Sequence, residues 1–413
     1  MPLNRVSMIS VHSCPLDILG GRDSGGMNVY IRELSRKLGQ RGIKVDIYTR
    51  SKNPSVPKIV HMDENVRVIH IKAGFEEPCH KNLVWNYLPE FLEGAFRFTE
   101  EEGITYDLLH SHYWLSGWAA SKLSKEWRIP VVHMSHTLGF LKNLVARADE
   151  EKEPSFRLEK EIEVLRAVDR IIVATSMEKM QMNGEFDIHP DKIEVIPCGV
   201  DSDLFKPLEP ETARVHLGLN GERFILFVGR IDPVKGIDRL ILAMDILKRY
   251  NGDNVNGIKL MIIGGDLPHE SCAENKELRN LMTLTSELNL EDSVYFLGNK
   301  RQDLLPFYYS SAEVCVLPSR YESFGIVALE AMACGTPVVA SDVGGLSRLI
   351  DDERTGFLVP EGDPETLANR IKWIIASPGV REKIGREAAE LAGRFEWSLI
   401  AEKVINLYSQ LVS

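Results

Sequence analysis

The sequence predicts an α/β protein: two Rossmann-like domains with mainly parallel sheets, facing a central cleft. Three observations lead there. At 413 residues the chain is too long for one hydrophobic core and suits two domains of roughly 200 residues each. Short apolar runs alternate with helical stretches from end to end, and strands that alternate with helices are βαβ units, which build parallel sheets. The rhythm then repeats after a break at Pro197-Cys198-Gly199-Val200-Asp201, which sets domains at 1–197 and 198–397.

The elements follow in order. In the first half, the runs at 5–11, 44–49, 66–71, 107–112, 131–135, 170–175 and 192–196 have strand length and strand composition. Between them, 27–40, 89–102, 115–125 and 155–167 carry apolar residues at helical spacing. The second half gives strands at 224–228, 259–263, 293–297, 314–317, 338–340 and 357–359. Residues 205–220 are less regular, and a closing helix at 398–413 is expected to pack back on the first domain.

Composition narrows the function classes. A net charge of −11 argues against general nucleic-acid binding, which needs a basic surface, but leaves room for a local cationic pocket. Six scattered cysteines without a Cys-x-x-Cys pair point to reduced thiols. The amino terminus reads as a first strand and not as a secretory signal. No apolar run is long enough to span a bilayer. A cytoplasmic location is therefore expected, and a homodimer is compatible with the sequence without being specified by it.

There is no Gly-x-Gly-x-x-Gly fingerprint and no Walker A motif, which disfavours a dehydrogenase and a P-loop ATPase. Three other segments carry chemistry. Gly25 and Gly26 open the helix after the first strand, where free amides and the helix dipole can meet an anion. Arg230 and Lys235 precede Gly236 on one loop after the strand at 224–228, and two cations on a βα loop suit a diphosphate. Glu322-Ser323-Phe324-Gly325 follows the strand at 314–317, and Glu330 lies one to two turns into the next helix. The two carboxylates should stand about 10 Å apart from the ~1.5 Å helical rise plus the loop. That is too far for an acid and base sharing a proton, and close to the span from ribose to sugar in a nucleotide-sugar. The plain alternative is a pair of solvated residues at a helix start.

With these segments the chain resembles the retaining, family 4 glycosyltransferases of the GT-B fold over nearly its whole length. The resemblance implies that Arg230 and Lys235 hold the donor diphosphate and that Glu330 takes the ribose hydroxyls. Glu322, with Phe324 and the Gly325 backbone, would read the donor sugar, and the backbone around Gly298 the base. Ser24-Gly25-Gly26-Met27-Asn28, His110-Ser111-His112-Tyr113-Trp114 and His136-Thr137-Leu138 are most similar to the inositol-phosphate N-acetylglucosaminyltransferases. By that likeness Lys81, Tyr113, Thr137 and Arg157 grip an acceptor phosphate and Asn28 faces the acceptor ring. Departures in 22–24 and 75–79 leave as alternatives sucrose-phosphate-synthase-like transfer to fructose 6-phosphate, or another family 4 glycosyltransferase with a different acceptor.

The implied reaction moves a sugar from a nucleotide-sugar, UDP-GlcNAc or UDP-glucose, to a phosphorylated polyol or sugar such as inositol 3-phosphate. Arg230 and Lys235 would stabilise charge on the departing diphosphate. Front-face displacement follows, with the leaving oxygen taking the acceptor proton and His136 orienting the sugar or acceptor. No metal site is expected, and magnesium is given no catalytic part. His110, His112, His133 and His136 could suggest zinc, but imidazole hydrogen bonds around an acceptor are the simpler reading. Trp114, Trp118 and Trp127 read as core, and Asp149 to Glu153 as a solvated acidic loop that could serve as a flap.

Overall fold

The structure is a computed structural model that describes residues 3–17, 25–219, 221–249, 257–265 and 275–412. The chain forms two compact units. The first takes in residues up to Asp17, Gly26–Pro197 and the stretch from Trp397 onward; the second takes in Gly25 and Cys198–Glu396.

The first unit carries β1 (Arg5–Ile9), β2 (Lys44–Arg50), β3 (Ile59–Asp63), β4 (Val66–Ile71), β5 (Leu108–His112), β6 (Val131–Met134), β7 (Arg170–Val173) and β8 (Ile193–Val195). Their order is β3-β4-β2-β1-β5-β6-β7-β8. Every pairing is parallel except that of β3 with β4. Strands in such sheets are covered on both faces and are apolar throughout, and Val6, Met8 and Ile9 of β1 are fully buried. Strand β3 was absent from the sequence reading. It is a half-exposed edge strand whose Ile59 and Val60 are followed by His61 and Asp63, so it offers no buried-strand pattern.

The second unit carries β9 (Phe224–Val228), β10 (Lys259–Ile263), β11 (Val294–Gly298), β12 (Val314–Leu317), β13 (Val338–Ser341) and β14 (Phe357–Val359). The order is β11-β10-β9-β12-β13-β14, and all pairings are parallel. Ile225, Phe227, Leu260, Ile262, Val314 and Val316 pack against Leu240, Ile241 and Met244 of the helix Ile237–Arg249, and Ile371 and Ile374 of the helix Pro364–Ala376.

Both sheets reverse direction of growth at one point: between β1 and β5 in the first unit, and between β9 and β12 in the second. Ligands of open α/β sheets bind at the carboxyl ends of the strands beside such a switch point. Of the residues singled out from sequence, Tyr113 follows β5, Arg230 and Lys235 follow β9 and Glu322 follows β12, whereas Lys81 follows β4, His136, Thr137 and Arg157 follow β6, and Gly298 closes β11.

The last helix, Trp397–Val412, belongs to the first unit. Its Tyr408 hydroxyl lies 2.6 Å from His110 Nδ1, and the Trp397 ring meets Tyr30 edge-on at 5.4 Å.

Candidate active site

At the switch point of the second unit, β9 leads into Gly229-Arg230-Ile231-Asp232 and then a short 3-10 turn, Pro233–Lys235. The Asp232 carboxylate caps that turn by accepting the Val234 N–H at 3.0 Å. Gly236 follows at φ +65°, and a Cβ there would stand 2.0 Å from the Pro318 carbonyl oxygen. Only glycine lets this turn sit against the loop after β12. Arg320 ties the two loops further: its N–H donates to Val234 O at 2.8 Å and its Nε to Pro233 O at 3.0 Å. The outcome is an ion pair between Lys235 Nζ and Glu322 Oε2 at 2.6 Å. Arg230 stands beside them in the same loop, partly exposed and 3.7 Å from Asp232 Oδ2.

The helix after Gly325 runs Ile326–Ala333. Glu330 on it is 4% exposed and accepts a hydrogen bond from the Tyr309 hydroxyl at 3.0 Å. That rules out a freely solvated carboxylate. Phe324 is buried, with its ring 6.0 Å from that of Phe395. Gly344 and Gly345, after β13, back the Glu322 loop. A Cβ on Gly344 would fall 2.1 Å from Glu322 O, one on Gly345 2.3 Å from Phe324 Cα, and the Gly345 N–H donates to Glu322 O at 2.8 Å. Gly298 closes β11 at φ +66° and accepts the Gly264 N–H at 3.0 Å.

In the first unit, β5 is followed by Tyr113, with φ 76° and ψ 156°, and β6 is followed by His136 at φ 57°. Tyr113 thus holds a conformation that is nearly confined to glycine and costs ~1–3 kcal/mol, a kind of strain that collects at functional sites. Around it the four expected grip residues come together. The Arg157 guanidinium lies over the Tyr113 ring at 4.8 Å, and its Nη2 donates to Thr137 O at 3.2 Å and Thr137 Oγ1 at 3.4 Å. Its Nε donates to Glu161 at 2.7 Å. Lys81 reaches the same place through Glu153: Lys81 Nζ is 3.0 Å, Lys142 Nζ 2.9 Å and Arg157 Nη1 2.7 Å from Glu153 Oε1. Two buried polar atoms here, the Tyr113 hydroxyl and Arg157 Nη1, have no hydrogen-bond partner among the described residues.

The acidic segment before Arg157 divides. Asp149–Glu151 forms a turn with no buried residue, whereas Glu153 is 7% exposed. Reading all of it as a solvated loop was wrong for Glu153, because three cations compensate its burial. Burial alone would raise its pKa; Arg157, Lys81 and Lys142 outweigh that and hold it well below the usual carboxylate range.

Asn28 is buried, with both ends of its amide engaged: Oδ1 accepts from Ser13 Oγ at 2.9 Å and Nδ2 donates to Cys14 O at 2.6 Å. Gly26 opens the helix Gly26–Gln40, and residues 20–24 of the glycine-rich segment lie outside the described residues. The histidines make hydrogen bonds within the protein: His112 Nδ1 is 3.0 Å from His136 Nε2, and His133 lies 2.9 Å from Ser111 Oγ and 3.2 Å from Ser135 Oγ. Burial lowers His133 to about 3. Burial, aided by His133, does the same for His136. Both are neutral imidazoles at neutral pH.

The model of the family described as "Glycosyltransferase Family 4" matches residues 24–204, and that described as "Glycosyl transferases group 1" matches 210–391. The D-inositol 3-phosphate glycosyltransferase of Saccharomonospora viridis is 37% identical over 99% of this chain and 94% of its own length. The chain belongs to the family 4 glycosyltransferases. The enzyme of the same description from Corynebacterium glutamicum is 37% identical over 99% of this glycosyltransferase and 97% of its own length. Among solved structures, sucrose-phosphate synthase from Thermosynechococcus elongatus superposes with a TM-score of 0.90 at 35% identity, covering 99% of both chains. HepE of Anabaena, solved with UDP-glucose, gives 0.75 at 20% identity over 98% of this chain and 100% of its own, which bears on fold alone. The fold is GT-B.

Sequence reasoning missed several residues of this glycosyltransferase. Lys142 sits on the short helix Gly139–Leu144, which carries no amphipathic signature. Arg320 and Tyr309 act by tertiary contacts that no spacing reveals. Gly344-Gly345 did carry a signal: paired glycines directly after a strand often mark a close backbone approach.

Proposed function

We propose that this glycosyltransferase moves a hexose from a UDP-sugar, UDP-GlcNAc or UDP-glucose, to a small acceptor bearing a phosphate, with retention. Inositol 3-phosphate is the first candidate acceptor. The observation that carries the reading is the cluster of Lys81, Thr137 and Arg157 around strained Tyr113, in which the buried Tyr113 hydroxyl and the Arg157 Nη1, ion-paired to Glu153, make no hydrogen bond among the described residues. A phosphate offers several strong acceptor oxygens and two negative charges, which match guanidinium, ammonium and hydroxyl groups. In this reading the first unit takes the acceptor and the second the donor. The relatives' description as D-inositol 3-phosphate glycosyltransferases supports the acceptor half.

On the donor side, Lys235 has three N–H donors, so it can keep Glu322 and still meet a diphosphate oxygen. Arg230 adds a second cation, and both act where charge grows as the diphosphate leaves. Glu330, oriented by Tyr309, takes the ribose hydroxyls, and the backbone at Gly298 holds the base. Glu322 reads the sugar with Phe324 and Gly325; its ion pair with Lys235 makes it a poor nucleophile. Front-face displacement then uses the departing phosphate oxygen to accept the acceptor's proton. Neutral His136 orients sugar or acceptor by hydrogen bonding. Gly25 and Gly26 lend amides to the same charge, Asn28 shapes the acceptor ring's seat, and magnesium is assigned no catalytic step.

Fructose 6-phosphate is the second reading, favoured by the 0.90 TM-score and 35% identity to sucrose-phosphate synthase. The test is nucleoside diphosphate release from UDP-glucose and UDP-GlcNAc with each phosphorylated acceptor, and NMR of the product's anomeric configuration. One pair should turn over with retention. An inverted product, or no acceptor-dependent release from any pair, would overturn the proposal.

A further inference from the structure

We propose that Glu153 is a built-in stand-in for the acceptor's phosphate: it holds the anion seat formed by Lys81, Lys142 and Arg157, and a phosphorylated acceptor must displace it to bind. The inference rests on the phosphate-acceptor reading above and goes beyond it, since it assigns a specificity role to a residue outside the grip. One oxygen, Oε1 of Glu153, has all three cations within 3.0 Å. Glu161 takes Arg157 Nε on its other side, at 2.7 Å, and also accepts the Gly139 N–H at 2.8 Å. Glu161 is thereby fixed in the frame, whereas Glu153 faces the point where the cations meet.

Two anions cannot share one seat without strong mutual repulsion. Exchange is therefore favoured over addition. The exchange is local. The Glu153 main chain is held at both ends by one side chain: its N–H donates to Asn143 Oδ1 at 2.7 Å, and Asn143 Nδ2 donates to its carbonyl at 3.1 Å. Only the carboxylate arm needs to swing, toward the exposed turn Asp149–Glu151. The Arg157 Nη1–Oε1 contact is short yet meets no hydrogen-bond geometry, so the carboxylate satisfies the charge of this guanidinium nitrogen without satisfying its N–H. A tetrahedral phosphate can do both. An acceptor without phosphate cannot compete for three cations, so Glu153 stays and the seat is closed to it.

The test is calorimetric titration of the full-length protein with inorganic phosphate. Glu153→Gln removes the resident charge and keeps the shape. It should bind phosphate at least tenfold more tightly than the parent, and adding Lys81→Ala should abolish most of that gain. Equal or weaker binding by folded Glu153→Gln overturns the proposal, and so does a gain that survives Lys81→Ala, because the phosphate is then held elsewhere. Should the Gln variant not fold, Glu153→Asp withdraws the charge by one methylene and should show a smaller gain; no gain there overturns the proposal equally. The titration needs no turnover. A protein that transfers no sugar yet gains phosphate affinity supports the seat and sinks only the transfer reading, whereas transfer to a sugar phosphate with no gain in Glu153→Gln sinks the seat alone.

Discussion

Lys235 and Glu322 lie 87 positions apart, and their 2.6 Å contact fixes where the loops after β9 and β12 meet. Lys235→Ala removes a cation next to the developing charge; transfer should fall by about 100-fold or more, with acceptor binding largely unchanged. Steady-state rates within a few fold of the parent would remove Lys235 from the diphosphate. Tyr309→Phe tests the buried partner of Glu330. It takes a hydroxyl from a buried carboxylate and should cost ~1–3 kcal/mol, read as a lower urea midpoint; an unchanged midpoint would show that the bond contributes nothing. At this scale the sequence revealed the charged residues and not their partners. Glu322, Glu330, Arg230 and Lys235 stand out by motif, but Tyr309, Arg320 and Lys142 matter only because remote strands bring them there. Glu153 was misread because a carboxylate in an acidic run is ordinarily solvated, and its cations lie up to 72 positions away.

Among elements, strands were the most legible. The runs at 224–228, 259–263 and 314–317 match the central strands β9, β10 and β12 residue for residue, because central parallel strands are buried on both faces and read as unbroken apolar stretches; the run at 357–359 matches the edge strand β14 as well. Edge strand β3 and the short helices Gly139–Leu144 and Pro210–His216 escaped, being too brief or too exposed for periodicity to register. The turn after β13 offers a test of loop support. Gly345→Ala would drive a methyl into the Phe324 backbone, so the KM for donor should rise at least several-fold while phosphate binding to the other unit stays as it was. An unchanged KM would detach this turn from the donor loop. Strands β5 and β6 set a pH dependence. His133 and His136 sit at about 3 in the fold against 6.5 unfolded, chiefly through burial. The unfolded chain therefore binds more protons between these values, and stability present above pH 6.5 is lost as pH falls toward 3. Each contributes a slope approaching ~1.4 kcal/mol per pH unit below 6.5. Glu178, raised by burial to about 7, acts with the opposite sign between 4.5 and 7, as do Glu161 and Glu277, whose carboxyls burial also raises, but against these three stand His133, His136 and the similarly lowered His12, His110 and His112. Urea unfolding at pH 7.5 and 5.0 should show a clear loss at the lower pH, and His133→Gln should reduce it; a flat profile would contradict the neutral buried cluster.

Over the whole molecule, the repeated rhythm of the sequence becomes two sheets with the same kind of switch point. Arg230, Lys235, Glu322 and Glu330 line the edge of one sheet, and Lys81, Tyr113, Thr137 and Arg157 that of the other. Family membership accounts for the shared plan. The choice of acceptor is the property that the cation cluster of the first unit should decide. The most direct measurement is therefore the initial rate of sugar transfer from one UDP-sugar to an acceptor with and without its phosphate, inositol 3-phosphate against inositol and fructose 6-phosphate against fructose. Removing the phosphate should lower the rate by at least about 100-fold, in keeping with the loss of a charge-assisted grip. Equal rates with and without the phosphate would contradict it.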